Sequence, residues 1–324
     1  MNNQEARRGI LIIGSINTDL VARVDRLPDS GETLVAETLE TYVGGKGANQ
    51  AVAAARLGAQ VSLVGRLGKD PNGQHNLKQL IEDDIRCDAI ALDPSCPTGT
   101  ALILVENSGE NRIILIPGAN HRFEPATLEG LHHLFVTSKL LLLQLEMTDP
   151  VLERAMELAR QYHMPIMLDP APARHLPGRR SHPIDYLTPN LVELAQLTQR
   201  AIHGNSPLET ISQAALGLCH QGLAKKVITK MGPRGALMTT ALKSIYLPAP
   251  EVQAVDTTAA GDCFNGVLAA CLVAGMADEE AMDQAVQAAS LSVTRKGAQA
   301  SMPSLEELQP ASDRVEAESG STAD

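Results

Sequence analysis

The chain has 324 residues, enough for one large domain or two small ones, and its 44% of hydrophobic residues can form a substantial core. Only 2% of the residues are aromatic, none is Trp, and the formal net charge is −11. Because nucleic-acid binding uses basic surfaces and stacking rings, this composition argues against a nucleic-acid partner.

The cysteines and the N-terminal segment indicate the compartment. Five cysteines without C-x-x-C spacing argue against a disulfide framework or a zinc site, and they favour a reducing compartment. The segment 1–9 is polar, and no apolar run reaches secretory or transmembrane length. The sequence therefore predicts a cytoplasmic protein that neither spans nor binds a membrane.

The first predicted strand, 10–16, ends at Asn17 and Asp19. These two polar residues are candidates for binding a polyol, and turn chemistry alone explains them equally well. Since no G-x-G-x-x-G follows the strand, a dinucleotide site loses its main support. A β-prone segment, 33–43, then leads into a glycine-rich turn over 44–50 and a helix over 48–57 that ends at Gly58.

The glycine-rich turn lacks the spacing of a Walker A loop, because Glu40 and Gly47 occupy positions that need Gly and Ser or Thr. Glycines here let the backbone approach a small ligand, with Lys46 and Asn49 directed at it. The alternative is a plain turn from a strand to a helix.

The middle of the chain predicts two sheets. Apolar runs over 98–106 and 111–117 flank a turn and predict a hairpin, which suggests a small separate sheet such as a lid. The run 139–145 predicts a buried strand that ends at Glu146, at the usual crevice of an α/β sheet. A strand over 61–64 and a glycine-rich loop over 65–73 come before these runs. Further strands over 165–168 and 184–188 alternate with helices over 150–162 and 190–199. This order predicts an α/β fold with a doubly wound, mostly parallel sheet flanked by helices.

Two later motifs have two interpretations each. Asn190 and Glu193 suit a capping box at a helix start, or they hold magnesium-bound waters near a triphosphate. The turn from Lys230 through Gly232 to Gly235 cradles a nucleotide phosphate or simply reverses the chain, and the weak signal favours reversal.

The segment 252–266 predicts a short strand over 252–255, a turn of small residues and a helix with an apolar stripe. Ala259, Ala260 and Gly261 lie where helix amides are unpaired, so an anion can approach them. Asp262 follows directly. Its carboxylate suits phosphoryl transfer to a hydroxyl, while the alternative is a residue that only caps the helix. A helix over 278–294 then leads to a loop, 292–301, whose carbonyls can bind a cation.

The motifs 45–51, 190–193, 255–262 and 292–299 occur in this order, and with them the chain resembles the ribokinase family of sugar kinases from about residue 10 to 303. The resemblance implies one ribokinase-like α/β domain over 10–310. A small β-sheet lid is inserted at about 21–43 and 98–117, and it is often shared across a homodimer. The polar tail, 311–324, is predicted to be disordered.

The resemblance also implies ATP, Mg²⁺ and a monovalent cation such as K⁺, with Asp262 as the catalytic base beside an anion hole at Ala259, Ala260 and Gly261. The residues implied for the sugar are Asn17, Asp19, Gly45, Lys46, Asn49, Glu146 and Asp262. Those implied for the nucleotide are Asn190, Glu193, Lys230, Gly232, Gly235 and Gly261. Those implied for the monovalent cation, some through backbone oxygen only, are Asp256, Thr258, Ser292, Arg295, Gly297 and Ser301. Two positions depart from the family pattern: Val286 replaces Asn or His on the adenine side, and Cys263 replaces Thr or Ser.

The composition narrows the substrate. With only four Tyr and three Phe in the chain, and Tyr42 alone in the proposed lid, a free sugar is favoured over a nucleoside. A sugar phosphate would need more cations than Lys46. We expect D-ribose, phosphorylated at its 5-hydroxyl, ahead of 2-deoxyribose, and the two should be separable by the hydroxyl that one lacks. A catalytically silent sugar or nucleotide sensor is the alternative of a different class.

Overall fold

The structure is a computed structural model that describes residues 9–106, 111–174 and 183–308. Its strands are β1 (Ile10–Ile13), β2 (Asn17–Val24), β3 (Thr38–Gly44), β4 (Val61–Gly68), β5 (Ile90–Asp93), β6 (Gly99–Glu106), β7 (Asn111–Ile116), β8 (Leu140–Gln144), β9 (Ile166–Asp169), β10 (Ile184–Leu187), β11 (Ala224–Lys230), β12 (Ala236–Thr240) and β13 (Ser244–Leu247). Its helices are α1 (Lys46–Arg56), α2 (Pro71–Glu82), α3 (His132–Thr137), α4 (Asp149–Gln161), α5 (Leu191–Thr198), α6 (Leu208–His220), α7 (Ala260–Ala274), α8 (Asp278–Ser292) and α9 (Leu305–Leu308).

The large sheet has nine strands in the order β13-β12-β11-β10-β9-β8-β1-β4-β5. All neighbours from β11 to β5 are parallel, whereas β12 and β13 are added by antiparallel hairpins. The predicted doubly wound, mostly parallel sheet is confirmed. Because parallel strands share one carboxyl edge, Glu146, Asp169 and Lys230 are brought to the same side of the molecule.

Both faces of this sheet are covered by helices, which explains why its strands are apolar throughout. In β8, Leu141 and Leu143 pack into one core with α4 and α6, while Leu140 and Leu142 pack into a second core with α1, α7 and α8. Since α1 and α7 belong to the same core, their N-terminal ends meet above the carboxyl edge.

The small sheet has the order β3-β2-β6-β7, with β2 antiparallel to β3 and parallel to β6. The predicted hairpin is confirmed, because β6 and β7 pair antiparallel with Leu102 opposite Ile114. The sheet begins at Asn17, before the predicted lid boundary at 21. The predicted domain limits stay a prediction, and the tail 311–324 lies outside the described residues.

One predicted strand is wrong, and several elements were not predicted, among them the helices α2, α3, α6 and α9. The segment 252–255 is exposed and irregular, and at its end the Val255 backbone N–H donates to the Val293 carbonyl and not to a strand. Asp70 caps α2 by accepting a hydrogen bond from Gly73, in a glycine-rich stretch that was expected to be a loop. The strands β5 and β13 were also not expected. Among the described helices, none combines the length and apolarity that crossing a bilayer requires.

Candidate active site

The Asp262 carboxylate, in the first turn of α7, is held by two side-chain amides from α1. Asn49 Nδ2 donates to one carboxylate oxygen over 3.0 Å, and Gln50 Nε2 donates to the other over 2.9 Å. Asp262 is 6% exposed and makes no capping hydrogen bond to its own helix. Capping therefore does not explain this residue. Each carboxylate oxygen keeps a second lone pair that can accept a proton.

The backbone just before Asp262 is open to a ligand. Ala259 has a φ of 58°, in the left-handed region that residues with a Cβ seldom adopt. Ala259, Ala260 and Gly261 are partly exposed, and the last two line a cavity. The first amides of a helix lack acceptors within the helix; here the Ala260 N–H donates to the Thr257 carbonyl of the preceding loop over a long 3.3 Å. The turn keeps the geometry of an anion-binding site.

Three carboxylates and one ammonium lie close together on one side of α7. Glu146 accepts hydrogen bonds from the Ser15 hydroxyl and, over 3.3 Å, from the backbone amide of Lys46. Asp262 raises the pKa of Lys46 most strongly; burial opposes this rise and Glu146 adds to it. Burial raises the pKa of Asp19 to about 7, and the negative charges of Glu146 and Asp262 contribute. The structure thus groups four of the residues predicted to bind the sugar.

The turn between β3 and α1 packs directly against β2. Gly45 has a φ of 89°, and a Cβ there would lie 2.7 Å from the backbone nitrogen of Asn17. A Cβ on Gly44 would overlap the Asp19 carboxylate. Asn17 is buried, and its Oδ1 accepts from Asn120 Nδ2 over 2.8 Å. Glycine is therefore required at this turn by close backbone approach.

A cavity of about 500 Å³ lies on the other side of the α7 start. Four residues predicted for the nucleotide line it, namely Lys230, Gly232, Gly235 and Gly261. The rest of the wall is mostly apolar and includes Pro233, Pro250, Val252, Phe264 and Val286. Val286 therefore offers an apolar contact where the family pattern has a polar one, and a flat, largely apolar group fits this space.

Two polar clusters lie next to Lys230, which lines this cavity. Lys230 Nζ bonds Asp169 over 2.9 Å, and a Cβ on Gly261 would lie 3.6 Å from the same nitrogen. Asn190 caps α5 by accepting from the Glu193 backbone over 2.8 Å, while Glu193 accepts from the Asn190 backbone over 2.7 Å. The capping box is present, and the magnesium interpretation of the same pair stays a prediction. The turn at Gly235 both reverses the chain and lines the cavity.

A second cavity, of about 380 Å³, lies between the small sheet and the loop before α7. Asp19 and Tyr42 line it from the sheet, and Asp256 lines it from the loop. Ala254 and Thr257 line both cavities. The loop that leads into the anion-binding turn is therefore the wall between the two spaces.

Asp256 is the centre of the loop predicted to hold a monovalent cation. Its two carboxylate oxygens accept backbone N–H groups of Thr258 and Gly297, each over 2.9 Å. Burial acts to raise the pKa of Asp256, but these hydrogen bonds lower it overall. The carboxylate thus joins the α7 loop to the loop after α8.

The other residues predicted for the cation use their side chains elsewhere. The hydroxyls of Ser292 and Ser301 donate to carbonyls in their own turns, and Arg295 pairs with Glu307 of α9. Arg295 can therefore serve a cation in this loop only through its backbone oxygen.

Sequence reasoning missed several residues of this site. Asp169 ends β9 just as Glu146 follows β8, so the rule that found Glu146 also applies to Asp169. Gln50 follows Asn49 within the glycine-rich motif, but no local pattern indicates that it bonds Asp262 and Asp169 at once. Ser15 and Gln144 likewise become visible only through their contacts with Glu146 and Gln50.

An open helix start, a neighbouring carboxylate and a separate cavity on each side define the class of site that transfers an anionic group to a hydroxyl. Comparison with known proteins agrees with this class of site. Residues 7–305 match the family described as pfkB family carbohydrate kinase. The chain belongs to this family, so it is a phosphotransferase, and the predicted ribokinase-like fold and enzyme class are confirmed.

Relatives are similar over nearly their whole length. The ribokinase of Schizosaccharomyces pombe is 38% identical over 308 residues, covering 92% of this chain and 96% of that protein. The deoxyribokinase of Salmonella typhi is 36% identical over 303 residues, covering 92% and 97%. The structure of Arabidopsis thaliana ribokinase complexed with ribose and ATP superposes with a TM-score of 0.86 at 33% identity, covering 93% and 97%.

Proposed function

We propose that this chain is an ATP-dependent sugar kinase that phosphorylates D-ribose at its 5-hydroxyl. The observation that carries the proposal is the position of Asp262. Two side-chain amides fix its carboxylate directly after Ala260 and Gly261, which line one cavity, and its charge acts on Asp19, which lines the other. The ribose and ATP in the complex of the Arabidopsis relative support both substrates.

Asp262 acts as the base for the sugar hydroxyl. Phosphoryl transfer passes through a loose transition state, so most of the catalysis is positioning and charge stabilisation. As the hydroxyl oxygen bonds to the γ-phosphorus, the bond from that phosphorus to the β-phosphate oxygen breaks and ADP leaves. The hydroxyl proton becomes acidic in this step, and Asp262 accepts it. The amides of Ala259, Ala260 and Gly261 stabilise negative charge on the transferred group.

The sugar lies on the side of Asp19, Lys46 and Glu146, whose charged groups bond hydroxyls. The nucleotide lies in the 500 Å³ cavity, with its base against the apolar wall that includes Val286 and its phosphates towards Lys230 and Gly261. This placement accounts for a cavity with few polar side chains at one end and a lysine at the other.

The residues near Lys230 fit a magnesium ion that accompanies the nucleotide. Glu193 is buried and its pKa is raised, first by burial and then, against the pull of Lys230, by the negative charge of Asp169. Hard carboxylate oxygens are the ligands that Mg²⁺ prefers, mostly through water. Asp169 and Glu193 would hold those waters, and the ion neutralises phosphate charge when bound.

The Asp256 loop is our candidate site for a monovalent cation, since one carboxylate there joins the loop before α7 to the loop after α8. K⁺ is our assignment from the family resemblance. A cation in this loop adds positive potential beside the anion site and keeps the loop ordered.

A second substrate candidate is 2-deoxyribose, because the Salmonella relative is a deoxyribokinase at 36% identity. The test is coupled ADP release with D-ribose, 2-deoxy-D-ribose, several hexoses and a nucleoside, in KCl and in NaCl. We expect the highest kcat/KM with D-ribose in KCl. A preference for 2-deoxyribose or for the nucleoside would overturn the ribose assignment. Equal rates in KCl and NaCl would overturn the assignment of K⁺ as the monovalent cation.

We also propose a homodimer formed through the small sheet. Its outer face carries exposed apolar side chains, such as Leu39, Leu102, Ile114 and Ile116. Patches of this kind mark protein interfaces. The predicted cytoplasmic location is part of the same proposal and rests on cysteine usage and family.

A further inference from the structure

Gln50 of α1 occupies the centre of a fully buried hydrogen-bond network. Its Nε2 donates to Asp262 Oδ1 and to Asp169 Oδ2, each over 2.9 Å. Its Oε1 accepts from Gln144 Nε2 over 2.7 Å. Gln50 and Gln144 are both completely shielded from solvent.

The chemistry of an amide suits this position. One uncharged nitrogen carries two hydrogens, so it can serve two carboxylates at once without adding charge. The partners fix which end of the amide faces the carboxylates. A flipped Gln50 would turn its oxygen towards two carboxylates and its NH₂ group towards the donor nitrogen of Gln144. The orientation thus follows from the partners.

The two carboxylates belong to opposite sides of the site. Asp262 faces the sugar and bonds Asn49, whereas Asp169 bonds Lys230, which lines the nucleotide cavity. The path from Asp262 through Gln50 and Asp169 to Lys230 consists of three hydrogen bonds, each 2.9 Å long. It joins residues that are far apart in the sequence.

We propose that Gln50 is a positioning residue that holds the base Asp262 in its reactive orientation and ties it to the Asp169–Lys230 pair on the nucleotide side. This inference rests on the proposed function, in which Asp262 receives the sugar proton. Gln50 itself touches no substrate, so its effect is on turnover and on nucleotide binding more than on sugar binding.

The test compares Gln50→Met, Gln50→Glu and Gln213→Met. Methionine keeps the length of the side chain without its donors, and glutamate faces the two carboxylates with oxygen. Gln213 is the matched control, because it donates to Glu209 on the surface of α6. Q50M loses the bonds to Asp262 and Asp169 and the bond from Gln144. We expect the loss of the Asp262 bond to lower kcat about 10- to 100-fold, as for one hydrogen bond to a charged group. The sugar KM should stay within about 3-fold.

The other variants sharpen this test. Q50E should lose more activity than Q50M although its shape is closer to glutamine, and Q213M should stay within about 2-fold of wild type. An active Q50M that matches Q213M, or a Q50E more active than Q50M, would overturn the inference.

Combined variants distinguish a positioning role of Gln50 from a purely structural one. With Asp262→Asn, Q50M should lower single-turnover rates by less than about 2-fold, because its partner is already lost. In calorimetry with ADP alone, Q50M should weaken binding about 3- to 10-fold, but not when Asp169→Asn is present. If Q50M lowered the rate and weakened ADP binding by the same factor in all backgrounds, the proposed link through Gln50 between Asp262 and Asp169 would be contradicted.

Two further outcomes remain decisive. If Q50M does not fold, Gln144→Met leaves both Gln50 donors in place, and it should lower kcat about 3- to 10-fold; unchanged kcat would contradict the proposal. If wild type and Q213M release no ADP with any sugar, the proposed function fails, and the ADP-binding cycle between Gln50 and Asp169 still decides the role of Gln50.

Discussion

Asp262 is the residue on which the proposed chemistry depends, and Asp262→Asn tests it directly. The amide keeps the size of the side chain but cannot accept the hydroxyl proton. We expect kcat to fall by about 10²–10⁴, the usual contribution of a general base, with the sugar KM changed only a few-fold. Steady-state kinetics measure both. Asp283→Asn is the control, since Asp283 lies on α8 away from the site, and a D262N enzyme as fast as that control would remove Asp262 from its role.

Asp19 gives a pH-dependent prediction at the same scale. Burial raises its pKa from 3.8 to about 7, so between about pH 4 and pH 7 the folded protein keeps a proton that the unfolded chain has lost. The stability of the ligand-free protein therefore falls as pH rises through this window. Asp19→Asn should unfold with a free energy up to about 4 kcal/mol higher than wild type above pH 7.

Urea unfolding at several pH values without ligands measures this difference. It should shrink towards pH 4 and below, where Asp19 becomes protonated in the unfolded chain as well. Asp29→Asn, at an exposed position, is the control and should show no such trend. A D19N difference that is the same at pH 5 and pH 8 would contradict the assignment of this buried charge.

At the scale of elements, the junction of β3 and α1 fixes the sugar side. A Cβ on Gly44 would overlap the Asp19 carboxylate on the neighbouring strand β2. Gly44→Ala should therefore move Asp19 and raise the sugar KM at least about 10-fold, because a buried hydroxyl partner is misplaced. Gly217→Ala is the matched control, since a Cβ there meets open space on α6, and it should leave KM unchanged. An unchanged sugar KM in G44A would show that Asp19 does not contribute to sugar binding.

Elements with a strong local signal were predicted from sequence, and elements that depend on neighbours were not. The apolar run at β8 and the stripe of α7 identify themselves by hydrophobic pattern. The segment 252–255 has a similar β-prone composition but finds no strand to pair with. The sequence can specify strand propensity there, whereas pairing depends on distant contacts, and here the Val255 N–H bonds the Val293 carbonyl after α8.

The same division holds within the site. Lys46 and Glu146 were predicted because they occur at a helix start and a strand end, where function is common in α/β folds. Asp262 lies at a helix start too, but its catalytic role was predicted only once the family resemblance was added. Gln50 was missed because its partner Asp169 is 119 residues away in the chain. Local patterns contain no information about such contacts. They follow from the sheet order, which brings α1 over the end of β9.

At the scale of the whole molecule, the two faces of the small sheet have different surroundings. Side chains alternate along each strand, so Asp19 and Ile103 face the cavity while Leu102 and Ile114 face outward. The outward Ile114 is 62% exposed and Leu39 is 69% exposed. An apolar sheet face left in water is unfavourable, and pairing two copies of the sheet would cover it.

Leu102→Asp tests the homodimer, because it places a charge at the centre of this outer face opposite Ile114. We expect wild type to have twice the chain mass in size-exclusion chromatography with light scattering, and the variant to have the mass of one chain, since an unpaired buried charge is costly. Leu242→Asp is the matched control. Leu242 is 95% exposed in the turn between β12 and β13, outside the small sheet, and its variant should remain dimeric. A monomeric wild type, or a dimeric L102D, would show that this face serves another purpose.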